Sequence, residues 1–264
     1  MLDQHRIARA LAGHPLGKNL VFLDTTTSSN DHASELARAG HPDGTVVLAE
    51  SQTAGRGRRG SSWVAPPGSS LLLSILLRPD VPSHNYTRLT HLTALALGDA
   101  VKTLTNLNTT VKWPNDLYHN SRKLAGILVE ASATDRHNHH AIVGIGLNIH
   151  TTPADLPPDL ATTATSLHIA TGGTPPSRES VLVELLRAFA QHYPTALHDQ
   201  PFSESLTTLR TRSHLIGHPI TALVDGTTIT GTATDLGPEG ELVITLPDGS
   251  PQRLTNADLV RRTN

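Results

Sequence analysis

Between Glu50 and Leu77 the chain reads ESQTAGRGRRGSSWVAPPGSSLLLSILL, a glycine-spaced basic run set between two apolar segments. Val46–Glu50 leads in, and Leu71–Leu77 leads out with the composition of a buried strand. Three arginines, Arg56, Arg58 and Arg59, thus sit on mobile backbone held at both ends by expected sheet elements. That layout suits a loop closing over an anion, although glycine and arginine also build ordinary exposed turns.

The rest of the chain supplies elements of both kinds. Helices are expected over Asp3–Leu11, His32–Ala39, Tyr86–Leu104 and Arg178–Tyr193, from apolar spacing and from flanking glycine, proline and capping residues. Ser29 or Asn30 is the expected N-cap of the second, with Glu35 as its reciprocal partner. A short helix fits Ala164–Ile169. Strands are expected at Leu20–Leu23 and Val111–Trp113, and KLAGILVE (Lys123–Glu130) pairs with AIVGIGLNI (Ala141–Ile149) as a hairpin turning at Asp135–His140. The histidines of that turn read as exposed residues rather than as a metal site. Beyond Ser213 come Pro219–Val224, Thr227–Ala233 and Glu241–Leu246, separated by Asp225-Gly226, Gly237 and Asp248-Gly249. The expected organisation is a domain over 1–212 and a small β-barrel over 213–264.

Composition narrows the function classes. The 264 residues carry 21 basic and 23 acidic side chains and a net charge of −2, which argues against a general nucleic-acid coat. Cysteine is absent, so thiol catalysis, disulfides and zinc–thiolate sites are excluded. The opening MLDQHRIARALAG lacks a signal-peptide core, and no apolar span reaches membrane-crossing length, so a cytoplasmic protein away from the membrane is expected.

Four polar clusters interrupt the apolar segments: Ser28-Ser29-Asn30, Gln52 with Arg56–Arg59, Lys112–Asp116, and Lys123 with Gly126. Each has an ordinary structural use as a cap, a turn or a solvated charge. Glycines at 126, 144 and 146 inside apolar strands are entropically unfavourable and point to close approach of a ligand or another backbone. Basic groups from separate segments beside Asp116 describe an anion site with a magnesium contact. The GK[ST] ending of a P-loop, the GxGxxG of a dinucleotide fold and the GxSxG of a hydrolase are all missing. Residues alone reach as far as an enzyme handling a phosphate-bearing ligand.

In order and spacing, GRGRRGSSW (Gly55–Trp63), KWPND (Lys112–Asp116), KLAGILVE and GIGLNI (Gly144–Ile149) resemble the motifs of biotin–protein ligases from about Leu20 to Tyr193. The resemblance implies an α+β fold: a mixed β-sheet with flanking helices, like class II aminoacyl-tRNA synthetases, plus a C-terminal SH3-like barrel. It implies a biotin–[acetyl-CoA-carboxylase] ligase that uses ATP with Mg2+ to make biotinyl-5′-AMP and passes biotin to a lysine of biotin carboxyl carrier protein. Ser28, Ser29, Asn30, Gln52, Arg56, Gly57, Arg58, Lys123, Gly126 and Gly144 match substrate-binding positions. Arg58, Trp63, Asn115 and Asn148 match the nucleotide side, and Arg58, Lys112, Asp116 and Lys123 form the catalytic set. With fewer than 25 residues before the first catalytic strand, no DNA-binding helix-turn-helix is expected, and an exposed sheet edge leaves room for a homodimer, as in relatives.

Three departures stand out. Asp24–Asn30 reads DTTTSSN where the family has a compact D-S-T-N, Ser61 replaces a common arginine, and LTNADLV lacks a glycine before its acidic residue. Two alternatives differ in substrate or class: a lipoate or octanoate–protein ligase of the same fold, and a non-catalytic nucleic-acid-binding module using the loop arginines with Trp63, which 3% aromatic content disfavours.

Overall fold

Side-chain alternation along the central strands sets the architecture. The computed structural model describes residues 1–132 and 139–263, so most of the turn expected at Asp135–His140 lies outside the described residues. In chain order the elements are α1 (Gln4–Ala10), β1 (Asn19–Thr26), α2 (Ser29–Arg38), β2 (Thr45–Gln52), β3 (Ser70–Leu77) and α3 (Arg88–Thr105). β4 (Thr110–Lys112), β5 (Asp116–His119), β6 (Arg122–Ser132), β7 (His140–Asn148), α4 (Leu167–Ala170), α5 (Arg178–His192) and α6 (Asp199–Thr211) follow. The chain finishes with β8 (Pro219–Val224), β9 (Thr227–Leu236), β10 (Leu242–Thr245), β11 (Pro251–Leu254) and β12 (Leu259–Arg262). The first seven strands form one mixed sheet in the order β1-β2-β3-β7-β6-β5-β4, in which only β1 and β2 run parallel. The last five form an antiparallel sheet, β11-β10-β9-β8-β12, consistent with an SH3-like domain. The α+β class is as expected.

One face of the large sheet is covered by α3 and α5. Leu71, Leu73, Ile75 and Leu77 of β3 and Val143, Ile145 and Leu147 of β7 alternate onto it and join Leu89, Leu92, Leu182 and Leu185 in the main core. The opposite face is covered by α2 through Ala33 and Ala37, which pack on Val47, Leu76 and Ile142. Beyond α2 that same face carries Ser74, Gly144, Gly146 and Gly126, small residues that leave room above the sheet.

Two expectations are corrected. α2 begins after Ser28 (φ −152°), so Ser29 and Asn30 lie inside its first turn, and Glu35 meets His32 at 3.7 Å instead of reaching back to a cap. The cause is tertiary: Gln52 Oε1 already accepts the Ser29 N–H at 2.7 Å, so the helix start needs no side-chain cap. α6 was not anticipated, although Phe202, Leu206 and Leu209 are buried at helical spacing.

The second sheet docks on the first through the turn before β10. Trp113 Nε1 donates to Gly240 O at 2.9 Å, and Arg88 holds Glu239 at 2.9 Å and Leu197 O at 2.8 Å. Gly240 has φ +84°, and a Cβ there would collide with the His91 ring. His91 is enclosed at this joint, and burial pushes its pKa down to about 4.

His91 therefore stays neutral in the folded state at pH values where the unfolded chain, near 6.5, takes up a proton. Its stabilising contribution is complete above about pH 6.5 and is lost as pH falls towards 4. Urea denaturation should find the protein roughly 2 kcal/mol less stable at pH 5 than at pH 7 from this residue, with a shallower pH slope in His91→Gln. Equal slopes for the two proteins would contradict the assignment.

Candidate active site

The room above the sheet is a cavity of about 410 Å³, lined by the loop Arg56–Trp63 and by the chain between β4 and β5. It gathers almost all of the residues expected from sequence.

Its inner end is a knot of hydroxyls and amides where α2 starts. Buried Ser74 Oγ donates to Asn30 Oδ1 at 2.6 Å and shares a hydrogen bond with Ser29 Oγ at 2.7 Å. Asn30 Nδ2 donates to Glu130 Oε2 at 2.6 Å and to Leu128 O at 3.3 Å. Both amide hydrogens of Asn30 are thus engaged, which makes it a scaffold for its neighbours. Gln52 gives its oxygen to Ser29 N–H and turns Nε2 towards Gly55. Gly144 is required here, because a Cβ would strike the Asn30 amide.

The basic loop is a tight hairpin. Trp63 N donates to Gly55 O at 2.9 Å, Gly57 N to Ser61 O at 2.6 Å, and Ser61 Oγ to Arg58 O at 2.8 Å. Ser61, where an arginine is common, thus closes the turn from within. Arg56 bridges Asp31 and Glu130, each at 2.8 Å. The Trp63 indole lies against Gly126 and Gly146, with its buried Nε1 lacking a hydrogen-bond partner.

The charged centre lies at the outer end. Lys123 Nζ approaches Asp116 Oδ1 at 2.7 Å, an ion pair with angles outside hydrogen-bond geometry, and sits 5.6 Å from the Trp63 ring centre. Lys112 Nζ donates to Tyr118 OH at 3.1 Å. Burial lowers the Lys112 pKa against the pull of Asp116, and burial with Asp116 pushes Tyr118 up to about 12. Arg58 is also lowered, by burial first and Arg59 second, while Asp116 opposes. Cations partly desolvated in this way favour an anionic ligand, which would restore the stabilisation that lost water removes. Asn115 is fixed by Nδ2 donating to Ile127 O at 2.8 Å.

Ser28, Gly57 and Gly126 also line the cavity, but Asn148 does not. Its amide is buried two residues past Gly146, donating to Thr165 O at 3.0 Å and accepting from Ser70 Oγ at 3.3 Å. Sequence reading missed Ser74 and Glu130, although a lone serine in LLLSILL was a legible signal, and it missed Ala257–Val260 of the second sheet on the cavity wall. Among the described residues no three acidic, histidine or cysteine groups cluster to hold a metal unaided. Nor is any described helix long and apolar enough to cross a membrane.

The sequence model of the biotin/lipoate A/B protein ligase family matches residues 22–148. The chain is 32% identical over 250 residues to the biotin–[acetyl-CoA-carboxylase] ligase of Mycobacterium tuberculosis, covering 92% of this chain and 90% of that one. It is 36% identical over 192 residues to the bifunctional ligase/repressor BirA of Bacillus subtilis, covering 73% of this chain but 59% of that protein's length. In three dimensions it is similar to the biotin protein ligase of Aquifex aeolicus in complex with biotin and ATP, with TM-score 0.81, 28% identity, and coverage of 93% and 100% of the two chains.

Gly146→Ala tests the cavity floor. Its Cβ would fall inside the Trp63 indole, so the ring must lift into solvent. Tryptophan emission should shift to the red, with Trp113 as the constant background of the two tryptophans. An unchanged spectrum would contradict this floor.

Proposed function

The chain belongs to the biotin/lipoate A/B protein ligase family, and from that premise we propose that it is a biotin–protein ligase. It joins biotin to ATP as biotinyl-5′-AMP and transfers the biotinyl group to one lysine of a carboxylase carrier domain. The observation that carries this reading is the polarity of the cavity: neutral hydroxyls and amides at one end, a glycine-faced floor, and Arg58, Lys112, Lys123 and Asp116 at the other. A bicyclic urea with an apolar tail and a terminal carboxylate has the same order of chemical character.

In the first half-reaction the biotin carboxylate attacks the α-phosphorus, a new O–P bond forms, and pyrophosphate departs with its electron pair. Two anions must meet, so Arg58 and Lys123 act by offsetting their repulsion and the charge that develops. Asp116 orients Lys123 from 2.7 Å. Alignment supplies the rest, because no covalent enzyme intermediate is required. Mg2+ would arrive with the ATP phosphates. Asp116 and Asn115 are the oxygen donors suited to it: Asn115 engages the Ile127 carbonyl through Nδ2, which leaves its Oδ1 to accept, and Asp116 pairs with Lys123 through Oδ1. The ion would supply charge neutralisation.

In the second half-reaction the neutral carrier amine attacks the mixed anhydride, a C–N bond forms, and AMP leaves. Asp116 takes the amine proton or orients the amine. The loop Gly55–Trp63 lies over the cavity and excludes water from the anhydride until the carrier arrives. The net charge of −2 argues against a general DNA coat, and the partner is assigned as a carboxylase carrier protein in the cytoplasm. The catalytic unit is assigned to 1–212 and the SH3-like unit to 213–264, with homodimerisation over a sheet edge as an accompanying property.

Biotin-dependent ATP–pyrophosphate exchange tests the reading. Exchange should require biotin, and Lys123→Ala should lower it by about 10²–10³-fold. Arg58→Ala should slow adenylate formation or speed its escape in single-turnover assays. Exchange driven by lipoate or octanoate instead of biotin, or near-normal exchange in Lys123→Ala, would overturn it.

A further inference from the structure

Arg58 and Arg59 are adjacent and both border the cavity, yet it is Arg59 that pairs with the second sheet. Arg58 lines the cavity and is half-buried. Arg59 has φ +51°, in the left-handed region that a residue with a long side chain seldom occupies. Such a conformation persists only where the surroundings determine it. Here they do. The Arg59 guanidinium forms an ion pair with Asp258, accepts company from Asn256 through Nη2 donating to Oδ1 at 2.9 Å, and lies 3.6 Å from Asp225. Those three acceptors come from two turns of the second sheet, the β8–β9 turn and the connection from β11 to β12. Arg56, by contrast, is tied to Asp31 and Glu130 on the large sheet's side.

We propose that Arg59 is a positioning residue through which the second sheet holds the basic loop over the cavity and keeps Arg58 aimed into it. This rests on the ligase reading of the same cavity. Tethering Arg59 fixes the left-handed residue of the turn that is not glycine, and that residue sets the direction of the preceding guanidinium. The second sheet then contributes to adenylate retention by holding the lid, in addition to lending Ala257–Val260 to the wall. Exposed charge pairs of this kind contribute about one- to fivefold each, so the three acceptors together should change loop occupancy by roughly three- to tenfold.

The test uses the full chain and two independent readouts. Trypsin cleaves after arginine, and Asp258→Ala with Asn256→Ala leaves every loop arginine in place while removing two of its acceptors. Cleavage within Arg56–Arg59 should be roughly three- to tenfold faster than in the wild type and should respond less to added salt. Arg59→Ala should raise adenylate escape by a similar factor with the KM for biotin within about twofold of wild type, and Arg59→Lys should recover part of the loss. Unchanged cleavage and unchanged escape would overturn the proposal. So would a parallel rise in biotin KM with a fall in melting temperature, which marks general damage. A wild-type protein without biotin-dependent exchange would count against the ligase reading instead, and the trypsin arm would still decide whether the tether exists.

Discussion

The site depends on the register of β6 against β7, which sets Gly126 opposite Gly146 and Leu128 opposite Gly144. Because side chains alternate, that register turns Ala125, Ile127, Val143, Ile145 and Leu147 into the core while keeping a glycine-lined strip on the other face. A slip of one residue would bury the strip and expose the core, so the apolar packing of α3 and α5 also fixes the floor of the cavity. Ser74 of β3 follows the same rule: it pairs with Gly144 and rises on the open face, where it holds Asn30. Folding energy and ligand room therefore come from the two faces of the same strands.

Charge is distributed around that floor by elements distant in sequence. The loop after β2 brings Arg56 and Arg58, the turn before β5 brings Asn115 and Asp116, and β6 brings Lys123. Partners hold most of them: Arg56 pairs with Asp31 and Glu130, Lys123 with Asp116, and Asn115 with the Ile127 carbonyl. Preorganisation of this kind matters because positive groups that need not rearrange stabilise developing charge most effectively. The second sheet takes part through both the Gly240 joint at Trp113 and the acceptors around Arg59.

Much of this was legible in the sequence because it is written in local patterns. The alternating strands, the helical spacing of Leu89, Leu92, Ala96 and Ala100, and the unusual strand glycines all follow from elementary periodicity. The α2 start was misread because its N–H is satisfied by Gln52, a side chain 23 residues away, which no capping rule contains. Glu130 and Ser74 were overlooked for the same reason: their roles arise from contacts across 100 and 44 residues with Asn30. Asn148 follows the strand parity of Gly144 and Gly146, but the backbone around Thr165 covers it, so parity alone does not bring it to the cavity.

The central claim is that one cavity both activates biotin and delivers it to a carrier lysine. Incubation of the full chain with labelled biotin, MgATP and a purified biotin carboxyl carrier domain, followed by peptide mass mapping, tests it most directly. The account predicts label in amide linkage on a single carrier lysine, dependent on ATP and lost when Lys123 is replaced by alanine. Absence of label from several carriers that a known ligase modifies, or label that survives the Lys123 replacement, would contradict it.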